Sequence, residues 1–181
     1  MRQLVEQAKR GDADAFESLA RLVGDRCMAI ASWILRDADL AEDAVQATLV
    51  RAWRELRTLR DPDRFEPWLH RILTNECYAE ARRRTRWSAK IRLLPVAPNV
   101  QPNEILTIED RDQLERAFRR LSLEQRAVLV FHHYLGLSQP EIAERLDIPL
   151  GTVKSRMHHG TTALRASIEA DDRPAARERS A

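Results

Sequence analysis

After Asp14, apolar residues return every three or four positions for one long stretch after another, a period that belongs to helices and not to strands. Leu19, Leu22, Val23, Met28, Ile30, Ile34 and Leu35 carry it to about Arg36, and Val45, Leu49, Ala52, Leu56 and Leu59 take it up again. A third run begins near Pro62 to Pro67 and passes through Trp68, Leu69, Ile72 and Leu73 into Arg82-Arg83-Arg84. Four polar pairs at cap spacing mark helix starts: Asp14/Glu17, Asp39/Glu42, Ser122/Gln125 and Ser138/Glu141. In each, a short side chain can accept from the third amide while Glu or Gln reaches back. Five glycines and 6% aromatic residues are poor material for a sandwich or barrel. The expectation is an all-α fold.

Charge divides the chain. Residues 1–80 hold twelve basic and fifteen acidic groups, whereas Ala81–Arg92 holds six basic groups and no acid. Leu93–Asp110 has three prolines (Pro95, Pro98, Pro102), no basic residue and three acids. These shifts predict two small helical domains joined by a flexible linker: 1–88, a linker at 89–109, 110–170, and a disordered tail at 171–181. The total charge nearly cancels, 30 Lys and Arg against 28 Asp and Glu, so any binding that depends on charge must come from local clusters.

Two cysteines fifty residues apart, Cys27 and Cys77, support neither a disulfide framework nor a zinc site and read as buried free thiols. The start lacks the apolar core of a signal peptide and no eighteen-residue apolar run occurs, so no membrane insertion and a cytoplasmic location are expected. A Gly-rich phosphate loop, a nucleophile elbow and HExxH are all missing from the sequence. The adjacent histidines His132-His133 and His158-His159 diverge by about 100° on a helix and chelate poorly. No enzyme activity, no metal and no cofactor are expected.

The clearest local pattern is SQPEIAERLDIPLGTVKSRMHHGTTALR, a short helix, a turn at Asp147-Ile148-Pro149 and a second helix from Gly151-Thr152. It reads as a helix-turn-helix. On the second helix Val153, Met157, Gly160 and Leu164 share one face. Ser155, His158, His159 and Thr162 point away from it, flanked by Lys154, Arg156 and Arg165. That outer face has no acid, as a helix in the major groove requires, because phosphate oxygens repel carboxylates. The basic run Arg82-Arg83-Arg84-Thr85-Arg86 is a second surface for a polyanion. Two such surfaces on either side of a linker can grip one nucleic acid at two places. On the helix after Asp39, Gln46, Val50 and Trp53 lie off the apolar stripe. They are either an enlargement of the core edge or, with Glu42, a flank for a partner.

The order DLAEDAVQATLVRAWRELRTLR, then FEPWLHRILTNECYAEARRRTR, then LSLEQRAVLVFHHYLGLSQPEIAERLDIPLGTVKSRMHH resembles the extracytoplasmic-function (ECF) sigma factors of bacterial RNA polymerase over about residues 5–168. The resemblance implies a region 2 helix bundle and a region 4 helix-turn-helix. It implies a sigma factor that binds core RNA polymerase and directs promoter-specific initiation, with an anti-sigma factor as a further partner. Contact with core polymerase falls on Glu42, Asp43, Gln46, Val50, Arg51 and Trp53. The melted minus-10 strand of promoter DNA falls on Arg71, Asn75, Tyr78, Arg82 and Arg83. The duplex minus-35 element falls on Thr152, Lys154, Ser155, Arg156, His158, His159 and Thr162. The alternative is a helix-turn-helix regulator that never docks on polymerase as a sigma subunit.

The chain departs from the family pattern in three places. Ala47 stands where an acid is usual, Ala79 with Glu80 beside it where Asp is common, and His158-His159-Gly160-Thr161-Thr162 replaces a basic run. Histidine is the residue type that gains charge as pH falls from 8 to 5. Minus-35 affinity is therefore expected to rise as pH is lowered from about 7.5 to 6, read as duplex binding by fluorescence anisotropy; a flat profile refutes it.

Overall fold

The computed structural model describes the backbone of residues 1–90 and 108–178 and the side chains of 1–86 and 113–170. Most of the expected linker at 89–109 lies outside the described residues. Among the described residues eight α-helices follow one another: α1 Arg2–Lys9, α2 Ala13–Leu35, α3 Ala38–Glu55, α4 Phe65–Lys90, α5 Ile108–Arg119, α6 Leu123–His133, α7 Gln139–Leu146 and α8 Leu150–Glu178. No strand occurs among the described residues, in line with the all-α expectation. The chain divides into two compact units, one built on α1–α4 and the other on α5–α8.

The caps explain the boundaries and correct two of them. Asp12 caps α2 by accepting from the Ala15 amide at 3.0 Å, and Asp37 caps α3 by accepting from the Leu40 amide at 3.1 Å. Each cap is two residues ahead of the expected Asp14 and Asp39, which fall instead in the first turns, where a carboxylate favours the helix dipole. In both Asp-Ala-Asp sequences either aspartate fits the cap pattern. Ser122 and Gln125 form the reciprocal box expected for α6. Before α7, the Glu141 carboxylate accepts from the Ser138 amide at 2.8 Å. Between α2 and α3, Arg36 adopts left-handed backbone (φ 58°) and lays its guanidinium over the Trp33 ring at 4.9 Å. Helix α1 was not anticipated; it is only eight residues long and buries just Val5 and Ala8.

In the first unit α2 packs on α4, and Leu19, Ile30 and Ile34 of the one and Phe65, Leu69 and Leu73 of the other are all fully buried. Helix α3 enters through a small-residue face, Ala41, Ala44, Thr48 and Ala52; of the expected stripe Ala52 and, beyond the helix, Leu56 and Leu59 are buried, whereas Val45 and Leu49 are only half-buried. Small side chains let α3 approach α2 and α4 closely, so the larger aliphatics are turned to the edge. Thr48 satisfies its buried hydroxyl by donating to the Ala44 carbonyl at 2.6 Å. Leu22 is 61% exposed although the period placed it in the core.

Both thiols are buried. Burial pushes Cys27 up to about 12 and raises Cys77 as well. Because the thiolate is the reactive form, neither is expected to react with a thiol reagent at pH 8 until the unit unfolds. The check is a thiol titration in buffer and in guanidinium, with none and two equivalents expected; one equivalent in buffer contradicts it.

In the second unit Ala127 to Phe131 of α6 are buried without interruption, and α8, with Val153, Met157 and Ser167 buried, packs on α5 and α6. At Gly160 an added Cβ would lie 3.1 Å from Leu129 Cδ1, so this glycine sets how closely α8 approaches α6. The turn from α7 to α8 passes through Asp147 in left-handed backbone (φ 54°), with the Ile148 amide donating back to the Ala143 carbonyl at 3.1 Å. The Pro149 carbonyl then accepts from Thr152 at 2.9 Å and opens α8. Helix α8 continues to Glu178, so residues 171–178 are helical backbone where a disordered tail was expected. Ala175, Ala176, Arg177 and Glu178 are strong helix formers, although Pro174 just before them has no amide to give to the ladder. Residues 179–181 lie outside the described residues.

Candidate nucleic-acid interface and partner face

Three helix faces carry the expected site residues. On α8, with Val153 and Met157 buried, Lys154, Ser155, His158 and Thr162 are all exposed on an outward arc of about 100°. Thr152, Arg156 and His159 form the adjoining flank; the first two are half-buried and His159 is exposed. A shallow hollow of about 400 Å³ beside the arc is lined by Gln139 of α7 with Lys154, His158, Thr162 and Arg165. The sequence reading missed Gln139, whose position at the first turn of α7 was the available signal. A helix with this cationic and hydroxyl face can donate to phosphates and base edges together.

On α4, Arg71, Asn75, Tyr78 and Arg82 share one stripe about 60° wide. Arg71, Asn75 and Arg82 are exposed, whereas Tyr78 is half-buried with its hydroxyl enclosed. Tyr78 therefore offers ring surface and not a hydroxyl. Arg83 is not on the stripe. It lies about 100° from Arg82 and pairs with the buried Glu80 at 2.7 Å. Arg84 pairs with Asp37, the cap of α3. The contiguous basic run is exposed throughout, but two of its arginines, Arg83 and Arg84, are paired with acids of the same unit. Asp37 was not singled out by sequence, since its partner is set by the fold, whereas Glu80 lies three residues from Arg83 on the same helix, at the spacing of a local pair.

On α3, Glu42, Asp43, Gln46, Val50 and Trp53 occupy an arc of about 100° opposite the alanine face. All are exposed, Val50 at 45% and Trp53 at 39%. Trp53 does not merge with the core; it leans on Phe16 of α2, ring centroids 4.9 Å apart. Phe16, half-buried, extends the apolar part of this face and was absent from the expected set. Arg51 stands apart on another side of α3. It bridges Glu55 at 2.9 Å and Glu76 of α4 at 3.1 Å. Those two acids hold its guanidinium charged, raising its pKa.

Residues 16–87 match the family described as Sigma-70 region 2, and residues 111–164 match Sigma-70, region 4. The chain is similar to the ECF RNA polymerase sigma factor SigL of Mycobacterium tuberculosis, 34% identical over 171 residues, 88% of this chain and 94% of that one. It is also similar to the ECF RNA polymerase sigma factor SigW of Bacillus subtilis, 28% identical over 93% of this chain and 96% of that one. Among solved structures it resembles the sigma factor RpoE in complex with the anti-sigma factor NepR from Bartonella quintana, with a TM-score of 0.72 and 27% identity. That match covers 86% of this chain and 98% of the other. CnrH in complex with the cytosolic domain of CnrY matches with a TM-score of 0.66 and 28% identity, over 94% and 97% of the two chains.

Proposed function

Because this chain belongs to the ECF sigma factors of the sigma-70 family, we propose that its two helical units divide promoter recognition between them. The chain is a sigma factor and directs RNA polymerase to initiate at promoters. Residues 1–88 act as region 2, docking on core polymerase through the α3 face and holding the melted minus-10 strand along α4. Residues 110–170 act as region 4, seating α8 in the major groove of the minus-35 duplex. The chain contributes no chemistry of its own, works in the cytoplasm with the polymerase, and is held in check by an anti-sigma protein, a reading supported by its structural relative RpoE, which is seen in complex with the anti-sigma factor NepR.

One observation carries this division: a hydrophobic and acidic face on α3 and a cationic and amide stripe on α4 occur in the same unit, on different helices. A single-stranded DNA needs a positive track plus groups that meet unstacked bases. Arg71 and Arg82 supply the first, Asn75 and the Tyr78 ring the second. Capturing extruded bases offsets the few kcal/mol per step spent on unpairing. The α3 face has no such character. Glu42 and Asp43 repel phosphate, while Trp53 and Val50 suit a protein partner, as aromatic anchors do at interfaces. A helix-turn-helix regulator that used this face to dimerise would not co-elute with core polymerase.

The test is run-off transcription from a promoter library with core polymerase and the purified chain. Discrete start sites that appear only when the chain is added are expected. No defined product, together with failure to co-elute with core enzyme, refutes the reading.

A further inference from the structure

We propose that Asp37 is a positioning residue that withholds Arg84 from nucleic acid, so that strand capture by α4 depends on the outward arginines and not on the whole basic run. The proposal rests on the assignment of α4 to the melted strand. Asp37 is mostly enclosed, its side chain 14% exposed, and its two carboxylate oxygens do different things. Oδ1 accepts from the Leu40 amide and caps α3, the helix that carries Trp53 and Val50. Oδ2 accepts from the Arg84 guanidinium near the far end of α4. One side chain thus ties the first turn of the polymerase-facing helix to the basic end of the strand-facing helix.

A guanidinium already paired with a fixed carboxylate gains less from a phosphate than a solvated one, because the phosphate must displace the acid. Arg83 is in the same condition beside Glu80. All four arginines are exposed, so it is the pairing with Glu80 and Asp37, and not burial, that sets Arg83 and Arg84 apart from Arg82 and Arg86. The pairing lowers indiscriminate affinity for any polyanion while Arg71, Asn75 and Arg82 keep their stripe. It also explains how a run of cations can belong to a protein that must release one promoter and find another. Electrostatic affinity that is independent of sequence helps neither step.

The test separates capping from charge. Asparagine caps helices as well as aspartate does, so Asp37→Asn keeps the Leu40 contact and removes only the hold on Arg84. Binding of a fluorescent non-template single strand to the full chain is measured across a salt series. For single strands, each additional phosphate contact steepens the plot of log affinity against log salt by about 0.7. Asp37→Asn is expected to steepen it by that amount, to raise low-salt affinity several-fold for any sequence, and to leave co-elution with core polymerase unchanged. Arg84→Gln in the wild-type background is expected to leave the slope nearly unchanged, whereas Arg82→Gln lowers it. Adding Arg84→Gln to Asp37→Asn is expected to restore the wild-type slope. An unchanged slope in Asp37→Asn, or a steepened slope that survives the double change, overturns the proposal alone. If the wild-type chain does not hold the strand at any salt, the assignment of α4 falls and the proposal with it.

Discussion

A chain carrying Val50→Asp with Trp53→Ala is expected to stay folded and to lose core polymerase by a factor of several hundred or more. Neither side chain is in the core, at 45% and 39% exposed, so the cost to the unit is small. It amounts chiefly to the ring contact between Trp53 and Phe16, about 0.5–1.5 kcal/mol for such aromatic pairs. At an interface the same truncation is far more expensive. A central tryptophan anchor is worth about 2–4 kcal/mol, and each 1.4 kcal/mol is roughly tenfold in affinity. A carboxylate at position 50 must then be desolvated with no partner placed for it, which adds to the loss. Competition against a labelled sigma subunit for core enzyme gives the number, and helical content with thermal unfolding shows that the fold survives. A folded variant that still binds within fivefold of wild type removes this face from the interface. Arg51→Ala is the contrasting change. Its guanidinium bridges Glu55 and Glu76 inside the unit, so it is expected to alter stability more than polymerase affinity.

What could be read from the sequence follows from which properties are local. The outward face of α8 was legible because its argument needs only helical phase and the lack of acids between Leu150 and Ile168. Both survive folding unchanged. The Ser122 box was legible for the same reason, since cap and partner are three residues apart. Asp14 and Asp39 failed as caps because Asp12 and Asp37 offer the same chemistry two residues earlier, and only the backbone decides between them. Of the expected α3 stripe Ala52, Leu56 and Leu59 are buried, but Val45 and Leu49 are only half-buried, because hydropathy favours them whereas close helix packing selects Ala41, Ala44 and Thr48. Of the two held arginines in the basic run, only Arg83 has a partner near enough in sequence to be read, Glu80 three residues earlier on the same helix. Asp37 and Arg84 are 47 residues apart, and Arg51 and Glu76 are 25 apart, so pairing exists only once α3 lies against α4.

Reversing one charge on α8 gives the second large effect. Lys154 is exposed on the outward arc, away from the buried Val153 and Met157, so Lys154→Glu leaves the packing of the second unit intact. In the groove it removes one phosphate contact and sets a carboxylate among phosphates. Binding to duplex promoter is expected to fall by about ten- to a hundredfold, in the range of losing one good contact worth 1–3 kcal/mol. The salt dependence should flatten by about 0.9 in slope, the share of one duplex phosphate. Because both units belong to one chain, each raises the effective concentration of the other at the promoter. Losing the duplex anchor therefore weakens strand capture even though no residue of α4 has changed. Template design exposes this coupling. On a promoter mismatched across the minus-10 element the unpairing cost of a few kcal/mol per step is already met, so the first unit retains more binding energy to hold the complex. Run-off transcription by Lys154→Glu is thus expected to be strongly impaired on the fully paired promoter and much less so on the mismatched one, with the same start site on both. Equal impairment on the two templates would mean that α8 acts somewhere other than the duplex, and no impairment on either would remove Lys154 from the interface.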